Sequence, residues 1–168
     1  MESINEILTS TLNDSGVDVG KPLTNLSKKT LPYDRCVRMI LDIGAQIERL
    51  KESGYGILSV NRSQVKETTT GAFILDIQRD NYFKCTTSGM IDITKPFKKN
   101  NDMAPEVQYI DTLPSETYYT AAFYSLGHLA CDVLGIERDI ELLKPTKLYF
   151  LLERCMNKDP TSRIFLFI

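Results

Sequence analysis

The apolar positions of this chain change period along its length. From Thr30 to Gly54, in "TLPYDRCVRMILDIGAQIERLKESG", Val37, Ile40, Leu41, Ile47 and Leu50 recur at helical spacing. Thr30 can cap, Pro32 suits a first turn, Asp34 favours the positive helix end and Gly54 supplies the stop. This predicts a long helix with a broad buried face. Before it, "SINEIL" is a short helix or strand candidate and "NDSGVDVGKP" reads as loop. After it, from Tyr55 to Ile93, short apolar runs alternate with Thr, Ser and Gly. That pattern predicts two or three small strands and hairpins, with "VKETTTGAFIL" turning near Gly71 and "GMIDI" as a further strand.

"TKPFKKNNDMAPEV" has little periodicity and reads as loop. Residues 115–135, "SETYYTAAFYSLGHLACDVLG", read as one helix with apolar or small residues on nearly every side, which places it in mid-core. The last stretch, "KLYFLLERCMNKDPTSRIFLFI", predicts an amphipathic helix interrupted at Asp159-Pro160, because proline cannot continue the hydrogen-bond ladder. The pattern as a whole is mainly α, of the α+β class, with a small β insert. It divides into an N-terminal segment over residues 1–29, partly helical or loop, and a domain over 30–168.

Composition narrows the function classes. A chain of 168 residues suits one domain, and 42% hydrophobic with 25% charged residues is ordinary for a soluble globular protein. No apolar run approaches the roughly 20 residues of a membrane span. The N-terminus lacks the basic start and apolar stretch of a signal peptide, so a cytoplasmic, reducing setting is expected. Cys36, Cys85, Cys131 and Cys155 are scattered without a Cys-x-x-Cys pair, which favours free thiols over a metal site. A net charge of −2 with mixed signs gives no electrostatic basis for nucleic-acid binding, and Lys98 and Lys99 read as solvated charges. His128 reads as a satisfied core or boundary histidine.

Three motifs occur in order on these elements: "APEV" at 104–107, "YSLG" at 124–127 and "LLERCMNKDPTSR" at 151–163. Together they resemble the C-terminal lobe of a protein kinase over about residues 30–168. The resemblance implies a helical bundle with small β-hairpins and no N-terminal lobe, since only 29 residues precede Thr30. It also implies that Glu106, ending the activation segment, pairs with Arg163 of the late motif. Carboxylate and guanidinium match in two-pronged fashion, which anchors the segment to the core.

The same resemblance argues against phosphoryl transfer, which needs cradled phosphates, a held metal and an oriented nucleophile. Neither the Gly-rich loop nor the nucleotide lysine is present. Aligning residues 54–65 with the catalytic loop puts Ile57, Leu58 and Ser59 at His-Arg-Asp, and Gln64 at the metal-binding asparagine. Serine has no carboxylate to accept a proton. The metal-binding aspartate falls on Asp76, a weak candidate preferred over Asp92. Ala122 replaces the aspartate that braces the catalytic loop, and a loop without catalytic work needs no brace.

Two functions compete. One is a catalytically inactive, pseudokinase-like regulatory module without cofactor or metal, binding a protein partner such as a kinase or a kinase's own partner. Here "SINEIL", "SGMIDI", "APEV" and "FYSLG" also resemble the kinase non-catalytic C-lobe domain, with residues 61–85 as an insertion. The other is a divergent or fragmentary serine/threonine kinase. Nucleotide binding separates them.

Overall fold

The computed structural model describes residues 24–26, 30–78, 81–165 and 167. "SINEIL" and "NDSGVDVGKP" therefore lie outside the described residues. The architecture is mixed α+β. The long helix α1 runs Tyr33–Glu52. Its buried face, Met39, Ile40, Ile43, Ile47 and Leu50, packs into the larger of two apolar clusters; Ile40, Ile47 and Leu50 were expected there, whereas Val37 and Leu41 are only half-buried and Met39 and Ile43 take their place. Thr30 does not cap it. Pro32 stands at the N-cap in extended conformation and its carbonyl accepts the Cys36 amide at 3.0 Å, while Leu31 N–H is drawn to the Val133 carbonyl at 2.6 Å.

Strands are shorter and more numerous than the pattern predicts. β1 (Thr24–Asn25), β3 (Val65–Glu67) and β4 (Phe73–Leu75) form one antiparallel sheet in the order β1-β3-β4. A second holds β2 (Tyr55–Ile57), β5 (Tyr82–Cys85), β6 (Met90–Ile93) and β7 (Ser115–Tyr118), in the order β2-β5-β6-β7. The β3–β4 hairpin turns at Gly71, whose φ of +86° a side-chain-bearing residue rarely adopts. Arg35 of α1 donates to the Gly71 carbonyl at 2.7 Å and pairs with Glu67 at 2.7 Å, tying the turn to the helix.

β4 is an edge strand, and α1 closes its open side. Asp42 Oδ2 accepts the Phe73 amide, and Gln46 accepts the Leu75 amide through Oε1 and donates to the Phe73 carbonyl through Nε2, each at 2.9 Å. The two side chains sit one helical turn apart, so their spacing serves alternate residues of the strand. An edge that would otherwise bury unpaired backbone is thereby satisfied.

The chain then crosses the second sheet and reaches the short helix α2 (Pro105–Gln108), followed by β7. Residues 115–118 are strand rather than the first turn of a helix: they pair with β6, Ile91 opposite Thr117, and the helix α3 starts only at Ala121. β-Branched and aromatic residues in "SETYY" favour a pleated surface, and cross-strand pairing overrides the apolar pattern. α3 (Ala121–Leu134) is buried on almost all sides, and Gly135 ends it at φ +71°. α4 (Lys147–Cys155) stops four residues before Asp159, so the interruption comes earlier than the proline predicts. Phe165 then stacks on Phe123 with centroids 5.0 Å apart and lies on Gly44, where a Cβ would stand 2.0 Å from the ring. Only glycine admits that approach.

Candidate functional site: an anchored segment beside a cleft

The segment from Phe97 to Gln108 is held at both ends. At its C-terminal end Ala104 is the N-cap and Pro105 the first residue of α2, where a missing N–H costs nothing. This directs Glu106 at Arg163, whose side chain is fully buried. Arg163 Nη1 lies 2.5 Å from Glu106 Oε2 and Nη2 lies 2.9 Å from Oε1, a two-pronged pair. Nε donates to the Asn157 carbonyl at 2.7 Å, and the guanidinium carbon lies 5.1 Å from the centre of the Tyr124 ring. All three guanidinium nitrogens therefore have partners, the condition under which a buried charge is tolerated.

The turn carrying Arg163 is itself fastened. Asp159 accepts the Thr161 amide at 3.0 Å, the Thr161 hydroxyl at 2.8 Å and the Ser162 hydroxyl at 3.1 Å, and these bonds hold its carboxyl below the usual carboxylate range. Thr120, just ahead of α3, donates its hydroxyl to the Pro160 carbonyl at 2.9 Å. So "APEV", the start of α3 and "DPTSR" converge on one spot.

At the other end Asp102 bonds the Asn100 side chain through its amide, contacts His128 Nδ1 of α3 at 3.3 Å, and pairs with Arg138. Burial, and then the Arg138 charge, lower the pKa of His128 from its ordinary 6.5. His128 also lies against Tyr124, with ring centres 4.6 Å apart. Arg138 reaches Asp102 from a backbone φ of +70°, left-handed for a residue with a side chain.

Between this segment and the loop after β2 lies a cleft of about 390 Å³. Leu58, Ser59, Asn61 and Gln64 form part of one wall and Phe97, Lys98, Lys99 and Met103 part of the other. The loop, too, is braced: Ser125 of α3, fully buried, accepts the Val60 amide at 2.9 Å and donates to the Val60 carbonyl at 3.0 Å. Ala122, three residues earlier on α3, has no polar group to offer, and Ser125 makes the brace. The one serine of a helix otherwise made mostly of apolar and small residues was its signal in the sequence.

Gln64 turns back on its own loop, its Oε1 accepting the Asn61 amide at 2.9 Å. Asp76 does not line the cleft; its amide donates to the Gln64 carbonyl at 2.6 Å, at the open end of the β3–β4 hairpin. Asp92 is exposed in β6 with Lys84 opposite it in β5. Among the described residues no three His, Cys, Asp or Glu side chains gather where they could hold a metal. The four cysteines are buried free thiols; burial pushes Cys36 and Cys155 up to about 12 and Cys131 to about 11. No described helix is long and apolar enough to cross a membrane. No protein-family model matches the chain, and no curated protein matches it.

Proposed function

We propose that this chain is a catalytically inactive, protein-binding module with the architecture of a protein-kinase C-terminal lobe. The order of elements supports the reading. A long helix leads to a strand, a cleft-lining loop, a tight hairpin, a strand antiparallel to the first, a segment ending in Ala-Pro-Glu and a buried helix. The observation that carries the loss of chemistry is the occupancy of the cleft. Ser59 stands where the resemblance places the base, the amide oxygen of Gln64 is spent on its own loop, and the carboxylate of Asp102 is taken by His128 and Arg138.

A general base must reach the proton it abstracts and be free to take it. Among the described residues lining this cleft, no carboxylate meets both conditions. What remains is a braced, shaped surface suited to binding. The test is transfer of labelled γ-phosphate from Mg-ATP to mixed peptide substrates and to the chain itself. The expected outcome is incorporation no greater than in a protein-free control. Incorporation that rises with protein concentration and survives repurification overturns the reading.

A further inference from the structure

The cleft has a chemical preference that goes beyond its lack of a base. Its volume of about 390 Å³ falls in the range of roughly 300 to 1,000 Å³ usual for ligand sites. Lys98 is exposed at its rim, with no ion-pair or hydrogen-bond partner among the described residues. Lys99 donates to the Gln108 carbonyl at 2.8 Å, leaving two ammonium protons for a ligand. The one carboxylate lining the cleft among the described residues, Asp102, is neutralised by Arg138. The local field is therefore positive although the chain carries −2 overall.

A second observation comes from Gln64. The residue is 8% exposed, its Oε1 is occupied by the Asn61 amide, and its Nε2 has no protein partner among the described residues. Gln64 Nε2 is not among the buried polar atoms left without a partner, so its N–H groups reach solvent in the wall of the cleft and can donate to a ligand acceptor. Leu58, Phe83, Phe97 and Met103 supply apolar surface beside these donors. Through Phe97 and Lys99 the cleft adjoins a second hollow of about 180 Å³, which Pro96, Ile110 and Leu113 help to line together with the carboxylate of Asp111, so the acidic groups of a ligand belong at the Lys98–Lys99 end and its apolar part in the second hollow. Two hollows sharing a wall suit an elongated ligand better than a compact ion.

We propose that the cleft between the Ser59–Gln64 loop and the Phe97–Met103 segment binds an extended acidic peptide of a partner protein. The inference rests on the reading of the chain as a non-catalytic binding module. Ligand carboxylates meet Lys98 and Lys99, a backbone carbonyl accepts from Gln64 Nε2, and an apolar side chain covers Phe97 and Met103. Such pairing gives specificity and fast association, and it weakens with salt.

The test is selection from a random dodecamer library displayed on phage against the immobilised native chain, with fluorescence anisotropy of the most enriched peptide. The expected result is enrichment of Asp and Glu. Binding should fall at least about tenfold in the variant Lys98→Glu/Lys99→Glu, whose melting temperature stays that of the wild type, and should weaken as salt rises. An uncharged or basic consensus, no enrichment, binding unaffected by the charge reversal, or tighter binding of a single-stranded oligonucleotide of equal charge overturns the proposal. Each of those results leaves the non-catalytic reading standing, because phosphoryl transfer tests that separately.

Discussion

Arg163 concentrates the energetics of the candidate site. Its guanidinium is removed from water entirely and Glu106 is 20% exposed, so the pair escapes most of the screening that weakens surface salt bridges. Removing one partner of such a pair leaves the other stranded. Glu106→Ala should cost about 3 to 5 kcal/mol in urea unfolding, and Glu106→Gln less, since the amide oxygen still accepts one bond. An unchanged urea midpoint for Glu106→Ala contradicts the assigned role.

His128 gives a prediction in pH. Its folded pKa is depressed below 6.5, so the unfolded chain takes up the proton more readily than the native one. The neutral imidazole's contribution is complete above the unfolded pKa and is lost as pH falls below it toward the folded value. The melting temperature should therefore drop between about pH 7 and pH 5.5 by less in His128→Gln than in the wild type. Equal drops in the two proteins would show that His128 does not titrate in this way.

Among the elements, α1 and β4 show how much can be read without coordinates. The apolar spacing of α1 and the Gly71 turn were legible because each follows from a local rule, helical periodicity in one case and a required positive φ in the other. What α1 does with Asp42 and Gln46 was not. Two polar residues one turn apart inside "MILDIGAQI" signal a buried partner, but the partner is a strand edge some thirty residues away in sequence. β7 was misread because its Thr and Tyr continue an apolar run into α3, and only pairing with β6 separates them. Three-residue strands such as β2 and β3 are too short to establish an alternation. Gln46→Leu should cost about 1 to 3 kcal/mol by stranding the Leu75 amide and the Phe73 carbonyl. Hydrogen exchange checks it: the Leu75 amide should lose protection while amides in the middle of α3 keep theirs relative to global stability.

At the scale of the molecule, the core has two apolar clusters that share the half-buried Tyr119, and the cleft is lined by Leu58, Phe83 and Met103 of the smaller one. The larger joins α1, α3, α4 and the β3–β4 hairpin; the smaller joins the second sheet to Met103, Ala104, Val107 and Ala121. The segment between Phe97 and Gln108 rides on the smaller cluster and is fixed to α3 by Asp102 and to the late turn by Glu106. The C-terminal end of that segment was legible in the motifs that carry Glu106 and Arg163, 57 residues apart, through resemblance and not through periodicity; the Asp102 end was not. The cleft's own chemistry was not, because the capture of Gln64 and Asp102 by neighbours depends on contacts that no local pattern announces.

The central claim is that this braced cleft is a binding surface that takes no nucleotide, and it is tested most directly by the melting temperature of the native chain with and without millimolar Mg-ATP. A ligand that binds only the native state must stabilise it, by about 2.7 kcal/mol at one hundred times its Kd. The account predicts coincident melting curves. A concentration-dependent rise of several degrees, reversed by removing magnesium, would contradict it.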